Sequence, residues 1–82
     1  MNDRLVHAIT SDGAEIVRYD RAGKWYLEHP AHTLKPRRHL KVAEAAELAA
    51  DHSTRWFAGR YGGGRFDALV IKRRSLSTAS RR

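Results

Sequence analysis

Two glycine-bearing turns, Asp12-Gly13 and Arg21-Ala22-Gly23, cut the first third of the chain into LVHAIT, AEIVRYD and KWYLEH. Each has the length and the aromatic or β-branched content of a strand. Connections this short join only antiparallel neighbours. Residues 5–28 are therefore committed to an antiparallel meander.

A three-residue loop over Arg21–Gly23, with Gly23 left-handed at no Cβ penalty, sets the second hairpin. It pairs Asp20 with Lys24, Tyr19 with Trp25, Arg18 with Tyr26 and Val17 with Leu27. Alternation then assigns Val17, Tyr19, Trp25 and Leu27 to the core and turns Ile16, Arg18, Tyr26 and Glu28 outward. Arg18 and Tyr26 become a cross-strand pair on the outer face. The first hairpin has two registers. A two-residue Asp12-Gly13 turn puts Val6 and Ala8 in the core and His7 beside Arg18, and a three-residue turn reverses this.

Residues 29–41, HPAHTLKPRRHLK, read as a loop whose prolines break any period. VAEAAELAADH (Val42–His52) is the clear helix, with Val42, Ala45, Ala46 and Ala49 on one face and Leu48 at its edge. RWFAGRY is a pairing strand or an irregular return, Gly62-Gly63-Gly64 is a turn, and Phe66–Lys72 reads as a strand. The expected fold is α+β: a three-stranded antiparallel meander, one helix packed on it, and a C-terminal strand or hairpin. Residues 1–74 form a single small domain, and residues 75–82, poor in apolar side chains, a disordered basic tail.

Charge is the main functional signal. Sixteen Lys and Arg face nine Asp and Glu, and the net +7 is lopsided: residues 1–34 carry −1 and residues 35–82 carry +8. Such a field attracts polyanions, nucleic acid above all. Lys35, Arg37, Arg38 and Lys41 place four cations in seven residues; they repel one another unless solvated or met by phosphate. Arg55, Arg60 and Arg65 interleave with Trp56, Phe57, Tyr61 and Phe66 around the triple glycine, a pattern suited to stacking on bases, with Tyr61 the ring expected outside. The same rings would also serve as core. Lys72, Arg73 and Arg74, followed by Arg81 and Arg82, add a sequence-independent phosphate grip.

Other chemistries find less support. There is no cysteine, hence no disulfide and no thiolate zinc site. His29 and His32 flank a proline in a loop that offers no frame for the three or four converging ligands of a zinc ion. Neither a nucleophile motif nor a paired carboxylate stands out, and the glycines lack the Lys-Ser/Thr ending of a phosphate-binding loop. No cofactor, metal or catalysis is expected. No stretch approaches the roughly 20 apolar residues of a membrane span and no signal peptide is evident, so a bacterial cytoplasmic location is expected.

Two family resemblances attach to these residues. Residues 14–52, with GKWYLE and VAEAAELAA, look like the sheet-plus-helix DNA-binding module of ethylene-response-factor and integrase arm-binding domains. That likeness implies that Arg18 and Tyr26 reach into a DNA groove. Residues 40–72 are similar to excisionase-type winged helices, which implies a recognition helix over Ser53–Gly59 and a wing at the glycines. As a whole, the chain resembles the small uncharacterised proteins of actinobacterial phages. These readings converge on a small, non-enzymatic, regulatory or accessory DNA-binding protein. The alternative is a module that binds a host or phage protein through an Arg-Tyr face. Either a monomer or a homodimer is compatible with the sequence.

Overall fold

The computed structural model describes residues 3–20, 23–32, 34–61 and 64–79. It is α+β, with one antiparallel sheet of five strands and two helices. The strands are β1 (Leu5–Ile9), β2 (Glu15–Arg18), β3 (Trp25–Glu28), β4 (Arg38–Leu40) and β5 (Arg55–Trp56), and the helices are α1 (Val42–Ala49) and α2 (Gly64–Ala79). Spatial order is β4-β3-β2-β1-β5. The expected meander is thus the centre of a wider sheet. β4 joins one edge from within the expected loop, and β5 joins the other. β4 escaped notice because three residues with one apolar member show no alternation.

The first hairpin takes the three-residue form. Thr10 N–H donates to the Ala14 carbonyl at 2.8 Å, and Gly13 closes the turn at φ 87°. A bulge between Val6 and Ala8 then shifts the β1–β2 ladder. The extra residue is His7, and both His7 and Ala8 end up buried.

In the second hairpin the observed pairs are Arg18 with Trp25, Val17 with Tyr26, Ile16 with Leu27 and Glu15 with Glu28. This is one residue out from the expected register. The connection spans residues 19–24 rather than three residues, and Gly23 N–H donates to the Asp20 carbonyl at 3.1 Å without a left-handed φ. A slip of one residue exchanges the faces of one strand. Trp25 and Leu27 keep their expected core face, whereas β2 is inverted: Ile16 and Arg18 turn inward, Val17 outward. Arg18 and Tyr26 therefore lie on opposite faces of the sheet and form no pair.

Both helices cover the inward face. Ala45, Ala46 and Ala49 of α1 are fully buried, and their small side chains let the helix lie close on Trp25 and Leu40. Residues 66–72 form the first half of α2, not a strand. Phe66 and Val70, one helical turn apart, are its core contacts, and Asp67 in the first turn anchors it. The Asp67 carboxylate accepts from Trp56 Nε1 at 3.0 Å and from Gly59 N–H at 2.7 Å. The apolar run misled because short runs of this kind do not distinguish a strand from a buried helix. Helix α2 continues through Ala79, so residues 75–79 are helical rather than disordered; residues 80–82 of the expected tail lie outside the described residues. No helix occupies Ser53–Gly59, which is turn and β5. Among the described residues no helix is long and apolar enough to cross a membrane.

Arg74, expected on phosphate, serves the fold. Its guanidinium donates to the carbonyls of Ala49 at 2.8 Å and Thr54 at 3.0 Å and lies 5.3 Å from the Trp56 ring centre. It thereby satisfies the C-terminus of α1 from a neighbouring helix. Arg74→Ala is expected to cost about 1.5–3 kcal/mol, the value of a charged hydrogen-bond set, and Arg74→Lys less. Urea unfolding of the three proteins tests this, and an Ala variant as stable as the parent would refute the capping role.

The inward Arg18 is 7% exposed. Its Nε donates to His7 Nε2 at 3.2 Å, and its guanidinium carbon stands 4.6 Å from the Trp25 ring centre. Accepting that bond requires an unprotonated Nε2, so His7 is neutral. Burial, aided by the Arg18 charge, pushes its pKa down to about 4. The unfolded chain, with His near its ordinary 6.5, binds the proton that the folded chain refuses. Stability should therefore be full above pH 6.5 and fall as pH drops toward 4, by up to about 3 kcal/mol. Urea midpoints measured across that window should slope for the parent and flatten in His7→Gln. Parallel slopes would assign the loss to other groups.

Candidate nucleic-acid interface

The face of the sheet turned away from the helices carries a row of side chains set by the register. Glu28, Glu15, Ile9 and Arg55 follow one another across β3, β2, β1 and β5, with Arg37, just before β4, 4.0 Å from Glu28, and His39, Tyr26, Val17 and Val6 form the next row. Glu15 and Glu28 stand directly opposite each other, which by itself is unfavourable. Arg4 resolves the conflict by lying between them, 2.6 Å from Glu15 Oε1 and 2.8 Å from Glu28 Oε1. The Tyr19 hydroxyl donates to the other oxygen of Glu28. Burial works to raise the Glu28 pKa, but the Tyr19 and Arg4 hydrogen bonds outweigh it and hold the carboxyl below its ordinary value. Beside this network Val17 is fully buried although no helix covers it.

In the middle of this face one arginine thus meets two carboxylates, which leaves no excess of positive charge there. The excess charge sits at its β4 border. Every residue from Leu34 to His39 is exposed, and so is Lys41. Because β4 is extended, Arg37 and Arg38 point to opposite sides of the edge. The Arg37 guanidinium lies over Tyr26 at 4.3 Å from the ring centre and 4.0 Å from Glu28 Oε2. Arg38 turns toward the helices and meets Glu44 at 3.6 Å. Lys35 lines the same hollow as Arg37, together with Glu28, His29, Pro30 and His32. Lys41 sits at the head of α1, where its own N–H donates to Glu44 at 2.8 Å. Of the expected four-cation cluster, the structure brings Lys35 and Arg37 together, holds Arg38 on the reverse of the same strand, and sets Lys41 beyond it.

The remaining expected residues divide. Arg60 is exposed beside Phe57, 4.6 Å from its ring centre, and Arg55 approaches the same ring at 5.6 Å. Arg65 and Lys72 are exposed on α2, and Arg73 is half-buried there. Tyr61, expected as the exposed ring, instead sets its edge against His7 at 5.3 Å. Arg18 and Arg74 are engaged inside the fold. Tyr26 does face outward, half-buried, flanked by Tyr19 at 6.0 Å and His39 at 5.6 Å. Tyr19 is the outward residue that sequence reasoning missed, since the inverted β2 had placed it in the core. His39 was also overlooked, though its position two residues after Arg37 in PRRHLK was a signal available in advance.

Among the described residues, no group of three His, Asp or Glu is placed to hold a metal ion. No protein-family model, curated protein or solved structure matches this chain.

Proposed function

We propose that this chain is a small, non-enzymatic nucleic-acid-binding protein of regulatory or accessory type, gripping phosphates along the β4 edge. The observation that carries the reading is the unbroken exposure of Leu34–His39, which presents Lys35, Arg37 and Arg38 from an extended edge and is followed by the exposed Lys41. Their carboxylate partners are weak ones. Glu44 is 3.6 Å from Arg38, and Glu28, at 4.0 Å from Arg37, is already held by Arg4 and Tyr19. An exposed pair such as Arg38–Glu44 contributes about 0–1 kcal/mol, so a phosphate can replace it at little cost. Arg60, Arg65 and Lys72 supply secondary cations for a longer polymer.

A second reading, a module that docks on another protein, draws on Ile71 and Leu76 of α2, each 58% exposed. Salt separates the two. Four neutralised phosphates give a duplex affinity whose logarithm falls with log salt at a slope of about −3.6, so binding should weaken about 100-fold between 50 and 200 mM. Arg37→Ala with Arg38→Ala should lower affinity and flatten the slope by about 1.8. Absence of binding at 50 mM salt, or a slope unmoved by the double variant, would reject the phosphate edge.

A further inference from the structure

Next to the phosphate edge, two hollows on the uncovered side of the sheet share Arg37 as a common wall. One, of about 400 Å³, is lined by Tyr19, Asp20, Gly23, Lys24, Tyr26 and Arg37. The other, of about 320 Å³, is lined by Lys35, Arg37 and the His29–His32 turn. Both are open depressions rather than enclosed cavities. The Arg37 side chain is 54% exposed even though its guanidinium lies 4.3 Å from the Tyr26 ring centre. The guanidinium thus lies against Tyr26, with the Tyr19 ring centre further off at 5.5 Å, and about half of the side chain faces solvent.

We infer that the Tyr19–Tyr26–Arg37 hollow takes an unpaired base, so that the preferred ligand is single-stranded nucleic acid. This rests on the phosphate reading above and sharpens it. Inside a duplex a base shows only its edges in the grooves, and its flat faces are covered by neighbouring base pairs. A guanidinium plane backed by a tyrosine presents the opposite complement, a flat cationic platform suited to a free base face. Lys24 and Lys35 stand on either side of Arg37, in position for the flanking phosphates of the same strand. Asp20 is the acid of the first hollow's lining, and Glu28, in the second, is met by Arg4. The chemistry required of the ligand is a planar base joined to phosphates, which DNA and RNA single strands share.

Fluorescence anisotropy with the full chain tests this on four probes of one length: a mixed-sequence DNA strand, the matching RNA strand, the DNA duplex, and an abasic DNA strand with the same backbone. A single stacked base corresponds to about a tenfold gain, so at least one of the two base-bearing strands should bind about tenfold more tightly than the duplex and the abasic strand. The better of the DNA and RNA arms identifies the source. Arg37→Lys keeps the charge but loses the plane. It should bring the ratio of single-strand to abasic affinity close to one, and Tyr26→Leu should do the same. Duplex or abasic strand binding as tightly as both base-bearing strands, with a steep salt slope, would overturn the base site and leave the phosphate edge standing. So would an undiminished ratio in Arg37→Lys. Failure of all four probes to bind at 50 mM salt would overturn both readings.

Discussion

The helix layer depends on the ring of Trp25. Phe66 stacks on it at 4.4 Å between centres and 27° between planes, His7 approaches at 4.5 Å, and the Arg18 guanidinium covers it at 4.6 Å. Trp25 also pairs with Leu40, the residue that leads into α1. One side chain therefore joins β1, β2, β3 and α2 and stands at the start of α1. Aromatic contacts of this geometry contribute beyond their buried area, and a desolvated cation over a tryptophan is worth about 2 kcal/mol or more. That helps a chain of 82 residues, with few large apolar side chains, to tolerate an inward arginine. Burial, and after it the charge of this arginine at 3.2 Å, keeps His7 neutral.

Drawing Arg18 inward decides what the other face becomes. With β2 set in this register, Glu15 falls opposite Glu28, and the face needs Arg4 and the Tyr19 hydroxyl to be stable at all. Those groups are then committed. A dense group of the cations that remain exposed lies at the β4 edge, where Pro36 and a row of charges also discourage another strand from adding to the sheet. A feature that protects the edge from self-association is thus also one that suits it to an anion.

How much of this was legible in the sequence varies by element. Helix α1 could be read because its alanines recur at helical spacing and touch only the sheet and α2. The faces of β3 could be read because Trp25 and Leu27 differ so plainly from Tyr26 and Glu28. The β2 face could not, since EIVRY alternates two nearly equivalent sets and the loop length alone chose between them. Arg74 was unreadable in a different sense. It follows Lys72 and Arg73 like any basic run, and only the carbonyl of Ala49, 25 residues away, separates it from its neighbours. The basic edge was visible as a composition, Lys35 to Lys41, but its division between two sides of a strand was not, because β4 itself was invisible. Tyr19 was lost with the β2 register, and with it the ring that completes the hollow around Arg37.

Net charge overstates what reaches a partner in one respect and understates it in another. Arg4, Arg18 and Arg74 are engaged within the fold, so the accessible positive charge is smaller than the sixteen basic residues suggest. The acids are also unevenly placed: Glu44, Glu47 and Asp51 lie along the helix side, while Glu15 and Glu28 on the open side are tied to Arg4. With screening over about 8 Å at physiological salt, cations on the far helix do little for a ligand held at the β4 edge. On the proposed reading, affinity there would depend on the local set of Lys24, Lys35, Arg37, Arg38 and Lys41. The total of +7 governs only how often a polyanion arrives.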